Sequence, residues 1–396
     1  MTVQDQIAVD LRYAAESTYG TQGSGNGQKL RRVSSSLALQ KNVFSSNEAR
    51  ADQQLADVRH GSRSVSGNVD GELSTETYDD WLEAVMRDTW ASGSTADEND
   101  LTSVTFSSGV ATMGGGSLIT AGFKVGDVVR FSDLTETANN NKNFLITALT
   151  ATTMTLYPAP TDASADTAFT VAVQGDKLVN GTTRRSFTIE QHYPDVDISE
   201  LFLGCRIGGA NFRLPPNGMA EVSWNIMGRD SELKSSGNAP VYGSAAAETT
   251  TGLLAGPSGV LILNGAASGI ITGLDFSLNL NLNQQPVVGS NLYPDTFYGR
   301  SVVTGNVSAY IEDTSILSLF DAETAFDIVA LCEAAGTGAL DFLSFGFHNC
   351  KFTGYSQSRT ADGGAIASFP FQAVLKTGGA STAYDQSTMV VQRSNS

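Results

Sequence analysis

What this chain most lacks is positive charge. Its 24 Lys and Arg stand against 41 Asp and Glu, for a formal net charge of −17. Affinity for a phosphate backbone comes largely from basic side chains displacing counterions, so this balance argues against tight nucleic-acid binding. An acidic wall past which DNA slides without being gripped is compatible with the same balance. Charge of either sign is sparse, at 16% of residues, where an average soluble protein has about 25%. The three cysteines, Cys205, Cys332 and Cys350, lie far apart in sequence. Without a C-x-x-C spacing they offer neither a disulfide framework nor a metal pair and read as reduced, buried thiols. The three histidines, His60, His192 and His348, have no partner at ligand spacing, so neither a metal site nor a cofactor is expected. No 18 apolar residues follow one another, and the opening MTVQDQIAVDLRYAAES carries Asp5 and Asp10 where a signal peptide needs an apolar run. The expectation is a protein made and folded in a cytoplasm, with no membrane partner.

What is present is length, glycine and small polar residues. With 396 residues, 41% of them hydrophobic, and 40 glycines, the chain can bury several cores built from short strands and many turns. One phrase occurs twice. GSRSVSGNVDGEL (61–73) and GRSVVTGNVSAYI (299–311) align on Gly67-Asn68-Val69 and Gly305-Asn306-Val307, 238 positions apart. Val65 and Val303 precede each Gly by two, Ser66 and Thr304 by one, and Leu73 and Ile311 follow each Gly by six. Each GNV strand is preceded by an alternating strand, SSSLALQKNVF in one case and LDFSLNLNLNQQP in the other, and by a long irregular stretch, 45–60 and 285–298. Each is followed by a short helix. Ser74 or Thr75 is placed to cap the first, whose Trp81, Leu82, Val85 and Met86 make one apolar face; Asp313 or Thr314 is placed to cap the second, with Ile316, Leu317 and Phe320 in that role. Each half then has a strand near a cysteine (Cys205, Cys350), a polar stretch and a closing strand (220–227, 367–375).

The pattern reads as an internal duplication: an all-β fold with short flanking helices, made of two tandem β-sandwich or barrel repeats. The first repeat covers 1–93 and 176–240. It is interrupted by 94–175, a run of short strands and Gly, Asn or Pro turns with eight acidic and three basic residues, net −5. This reads as a small all-β domain inserted in a loop, where insertions are tolerated. The remainder, 241–396, holds the second repeat; the Gly-rich segment between the halves (235–259) is either a flexible linker or a long hairpin that orders on assembly.

Motifs for chemistry are thin. GSGNGQK (23–29) lacks the G-K-[ST] ending of a P-loop. Asp79-Asp80 and Asp97-Glu98 fall at a helix start and in a loop, and Asp195 and Asp197 need distant oxygens to hold calcium. No catalytic residue is assigned. The segment NEARADQQLADVRH (47–60) is the better functional candidate. Glu48, Arg50, Asp52, Asp57 and Arg59 set both signs close together on a stretch too polar to pack on itself. It is either a solvated loop or a contact between subunits, where alternating charge fixes register.

The opening LRYAAESTYGT (11–21), the strand and charged loop after it, and GSRSVSGNVDGELSTETYDDWLEAVM (61–86) together resemble the tail tube proteins, or major tail proteins, of long non-contractile-tailed bacteriophages. The likeness is one of style and order over 1–93 and 176–395. It implies a structural virion protein with a β-sandwich or barrel and a flanking helix, made in the host bacterial cytoplasm and assembled into stacked rings. The resulting tube meets other tail proteins at its ends, and phage DNA passes through the lumen without specific binding. With two barrels per chain, three chains would give a ring of pseudo-six-fold symmetry; with one, six chains. The inserted domain would decorate the outside. Two other readings stay open: a carbohydrate-active β-rich enzyme using an acidic pair, which needs two carboxylates about 5–10 Å apart, and a secreted surface or adhesin protein.

Overall fold

A computed structural model describes residues 3–235, 237–256, 259–267, 270–312, 314–334, 336, 339–357 and 364–395. The fold is all-β. Among the described residues the α-helices are Asp79–Met86, Glu98–Leu101 and Ser315–Asp321. The strands arise from strict alternation. In Ile271–Asn279, for example, Leu274, Phe276 and Leu278 are buried while Asp275 and Ser277 face outward.

One continuous antiparallel sheet runs through seven strands. Its order is Ala38–Ser45, Val58–Glu72, Glu221–Gly228, Ile198–Leu214, Ile271–Asn279, Val302–Tyr310 and Ile366–Ala373. The 17-residue strand Ile198–Leu214 is its hinge. Its first part pairs with Phe187–Tyr193 and Asp230–Ser235, and its last part with Glu221–Gly228 and Ile271–Asn279.

The same pairing order occurs twice. Asp10–Ala15 lies beside Phe187–Tyr193, as Gly259–Leu263 lies beside Phe326–Glu333. Phe187 sits opposite Cys205 as Phe326 sits opposite Cys350, and Arg206 opposite Met227 as Lys351 sits opposite Gln372. The two GNV strands hold matching places: Asn68 opposite Asn225 and Asn306 opposite Pro370. Val69 and Val307 are fully buried. The glycines are required by close approach. A Cβ on Gly67 would fall 2.5 Å from the Ser36 carbonyl oxygen, and one on Gly305 would enter the Phe371 ring and lie 2.8 Å from the Asp275 carbonyl oxygen.

A single apolar core underlies both halves of the sheet, centred on Trp81, Trp224, Phe212, Phe276 and Phe345. Phe212 stacks on Phe276 at 4.8 Å, and Trp81 meets Trp224 edge-on at 5.7 Å. Trp81, Leu82, Val85 and Met86 of the first long helix are buried as the sequence predicts. The caps differ from expectation. The helix starts at Asp79 after Tyr78, with no side-chain cap bond, because Ser74 is bridged to Leu253 and bonded to Thr77. Thr314 precedes the other helix without a side-chain cap bond, and Asp313 lies outside the described residues. In that helix Ile316 is buried, but Phe320 is exposed and Leu319 packs inward in its place.

Residues 95–173 form a separate eight-stranded sheet, with Phe106, Phe123, Phe131, Phe144 and Phe169 in its own core. Its two ends meet where Asp176–Leu178 pairs with Ala91–Ser92. Polar groups tie it to the rest of the chain. Lys177 Nζ lies 2.5 Å from Asp127 and 2.7 Å from Asp385, Lys124 Nζ donates to the carbonyls of Gly379 and Thr382, and Asn143 Nδ2 donates to Glu333.

The segment after Ser235 is neither a loose linker nor a hairpin over its described residues. Residues 241–254 are strapped to the first half: the N–H groups of Val241 and Tyr242 donate to the buried Glu190 carboxylate, Arg12 donates to the Tyr242 carbonyl, and Leu254 is wholly buried.

Because both neighbours of Gly305 are parts of the fold that cannot swing aside freely, Gly305→Ala is expected to lower unfolding stability by about 1–3 kcal/mol. Urea denaturation of the intact chain checks this; an unchanged midpoint would mean that the close packing is not required.

Candidate functional site

The outward face of the central sheet is a broad depression of about 930 Å³. The strand period places its lining: each buried Val, Phe or Trp alternates with an Asn, Ser, Thr, Asp or Glu that points into the depression. Asp70, Glu72, Glu221 and Asp275 supply four carboxylates, Arg213 the sole cation, and no lysine lines it. Arg213 reaches toward Glu221 at 3.7 Å and Asp275 at 3.9 Å. All three side chains are more than half exposed, and such contacts contribute little to stability. The asparagines of both GNV triplets face this side, Asn306 among its lining residues.

Two strands border the sheet with one edge unpaired among the described residues. Ala38–Ser45 pairs only with Val58–Glu72, and Ser356–Gln357 only with Ile366–Ala373. An unpaired edge exposes a row of backbone donors and acceptors and is a template for another strand.

The first of these edges leads into a protruding hairpin. Glu48, Arg50 and Asp52 lie in its turn and Asp57 and Arg59 on its returning arm, all exposed. The charges pair locally: Arg50 with Asp52 at 2.8 Å and Arg59 with Asp57 at 2.6 Å. Exposed Val43, Phe44, Leu55 and Val58 stand beside them, an apolar set that the charge pattern did not reveal. The corresponding stretch of the second half, 281–298, folds back on the first half. There Arg63 N–H donates to the Asn291 carbonyl, Tyr293 OH donates to Ser62, and Asp295 takes Arg206 at 2.8 Å.

The other titratable candidates are dispersed. Asp79 is paired with Arg393 at 2.8 Å, Asp80 accepts from Tyr13 OH, and Asp97 accepts from the Asn99 N–H at the head of its short helix. Asp195 accepts from the Asp5 N–H. No cluster of three or more His, Cys, Asp or Glu suited to a metal is found among the described residues. All three thiols are free and buried, and burial pushes each above its ordinary value, Cys332 to about 12. His348 is buried with Asp327 4.0 Å away, and burial, opposed by Asp385 and reinforced by Lys376 and Lys177, lowers its pKa to about 4.

A wide, carboxylate-bearing sheet face, bounded by strand edges that are unpaired among the described residues, is a surface suited to assembly. The family comparison makes this specific. A family model described as Phage tail tube protein matches residues 7–373, and the chain belongs to that family. It is a structural protein of the bacteriophage virion tail, a tail tube or major tail protein. A search of curated proteins found no match.

His348 generates a pH prediction. A histidine held neutral by burial costs stability as the unfolded chain gains its proton, so stability is lost as pH falls from about 6.5 to about 4, by about 3 kcal/mol. Asp79, pushed by burial to about 7, acts oppositely, with stability lost as pH rises from the ordinary carboxylate range toward that value, and burial likewise raises Asp127. The difference between wild type and His348→Gln isolates the histidine: denaturation at pH 4–7 should show the variant losing less on acidification. Parallel curves would contradict the assignment.

Proposed function

We propose that this protein is the repeating subunit of the phage tail tube wall, that three copies close each ring, and that stacked rings form the conduit through which the genome is ejected. The observation that carries the reading is the doubled pairing order, with a matching edge left open at either end. On this reading each chain supplies two wall units, 1–93 with 176–240 and 241–396, so three chains give a ring of pseudo-six-fold symmetry. Neighbouring chains continue the sheet around the ring, which pairs the edge groups that a lone chain leaves open.

The depressed face turns inward and lines the bore. Its four carboxylates and one guanidinium per chain repel phosphate, while its hydroxyl and amide groups keep the wall wetted. DNA therefore passes without being held, since grip would need basic side chains. The module of 95–173 lies on the outside, away from the bore. The charged hairpin is a contact between subunits in which Glu48, Arg50, Asp52, Asp57 and Arg59 set the register. Other tail proteins close the two ends, and the chain is made in the host cytoplasm.

Electron microscopy of the purified chain over a concentration series should show rings or tubes that retain no labelled duplex DNA at about 0.15 M salt. The variant Glu221→Lys/Asp275→Lys, changed only at exposed side chains, should form the same tubes and retain duplex in a salt-sensitive way. Absence of any ring or tube would overturn the proposal, and equal retention by both proteins would overturn the placing of this face in the bore.

A further inference from the structure

The junction between the two halves is visible within one chain, and the doubled registers give each of its parts a counterpart that is left without its mate. In the junction, Ile198–Leu214 pairs with Ile271–Asn279, placing Asn211 opposite Ser277 and Gly209 opposite Asn279. Beyond the ladder, the 281–298 segment lies over the first half, and Asp295 holds the buried Arg206, which also donates to the Thr296 carbonyl.

The counterparts follow by register. Asn211 sits opposite Ser223 as Ser356 sits opposite Ser368, so Ser356 corresponds to Asn211. Ser277 sits opposite Thr304 as Ala38 sits opposite Ser66, so Ala38 corresponds to Ser277. On the spacing of the two GNV triplets, Asp57 corresponds to Asp295; on the spacing of Cys205 and Cys350, Lys351 corresponds to Arg206. An acid and a base thus recur at the places of an ion pair. Here, however, the acid stands on a protruding hairpin, where its ion pair among the described residues is with its neighbour Arg59, while the base is exposed.

Two further features agree. Where Leu214–Pro216 enters the second half beside Val260, Leu261 and Leu274, the remaining groove is about 130 Å³. Its counterpart in the first half, beside Asp10, Leu11 and Ser35, stands open at about 610 Å³. Val374 and Leu375 are exposed one and two residues past Ala373, the counterpart of Gly228 whose carbonyl accepts from Gln284 of the overlying segment. The hairpin carries exposed Phe44, Leu55 and Val58 to meet them.

We infer that a second copy of this chain completes the junction. Its edge around Ala38 pairs with Gly354–Gln357, its 46–57 hairpin covers Val374 and Leu375, and its Asp57 takes Lys351 as Asp295 takes Arg206. The inference rests on the ring reading above and names the partner surface that closes the ring. Burial of the hairpin's apolar residues supplies affinity, and the Asp57–Lys351 contact, desolvated by the cover, supplies register.

A charge exchange tests it. Asp57→Lys and Lys351→Asp should each raise the concentration needed for half-assembly by about tenfold or more, and the double exchange should return it to within about threefold of wild type. Both side chains are exposed, so the monomer's unfolding midpoint should not move. In the assembled Ala38→Cys/Ser356→Cys variant, oxidation should link chains into a covalent species of three; the buried native thiols do not compete. Assembly by wild type with no effect of either single exchange, or no cross-link in assembled tubes, would overturn this inference and leave the ring reading standing. Failure of wild type to assemble at any concentration would overturn both.

Discussion

The antiparallel ladder between Ile198–Leu214 and Ile271–Asn279 is the contact on which the rest depends. It joins the two halves edge to edge through backbone hydrogen bonds, so a single sheet crosses the molecule instead of two sheets meeting face to face. Beneath it Phe212 stacks on Phe276, one ring from each half, and Phe345 packs against both. The core is therefore continuous where the ladder is continuous. An edge-to-edge junction also has a consequence that a face-to-face one lacks: it can be repeated, because each added unit presents a fresh edge for the next.

Much of this was legible in the sequence where a physical period wrote it. Leu274, Phe276 and Leu278 alternate with polar residues and do form a half-buried strand. Trp81, Leu82, Val85 and Met86 recur at helical spacing and do share one buried face. The twin GNV triplets do occupy like positions, because glycine is the residue that admits a backbone or ring at such close range. What was not legible depends on partners distant in sequence. Residues 241–254 look like a linker because their backbone groups are satisfied by Glu190 and Arg12, which no local pattern announces. The strand Val390–Arg393 near the end of the sequence is short, and it is held by Asp176–Leu178 and Leu343–Gly346 from both halves. The apolar side chains of the hairpin were hidden by the charges around them, although Phe44 and Leu55 stand in the open.

The distribution of charge agrees with a wall more than with a reaction site. Cations that are well buried are consumed in structure: Lys177 between Asp127 and Asp385, Arg393 between Asp79 and Asp176, Arg206 on Asp295. The sheet face keeps acids and amides, and the hairpin keeps exposed pairs of both signs. On the proposed reading this division is functional. Contacts between chains use charge to choose register, and the surface presented to DNA avoids the sign that would hold it.

The central claim is that the two halves of one chain act as successive units of one ring. The mass of an isolated ring, measured under native conditions, tests it most directly. Three copies of the 41.6 kDa chain would give about 125 kDa and are the predicted result. A closed ring of six copies, about 250 kDa, would contradict it, because each chain would then contribute a single unit to the wall.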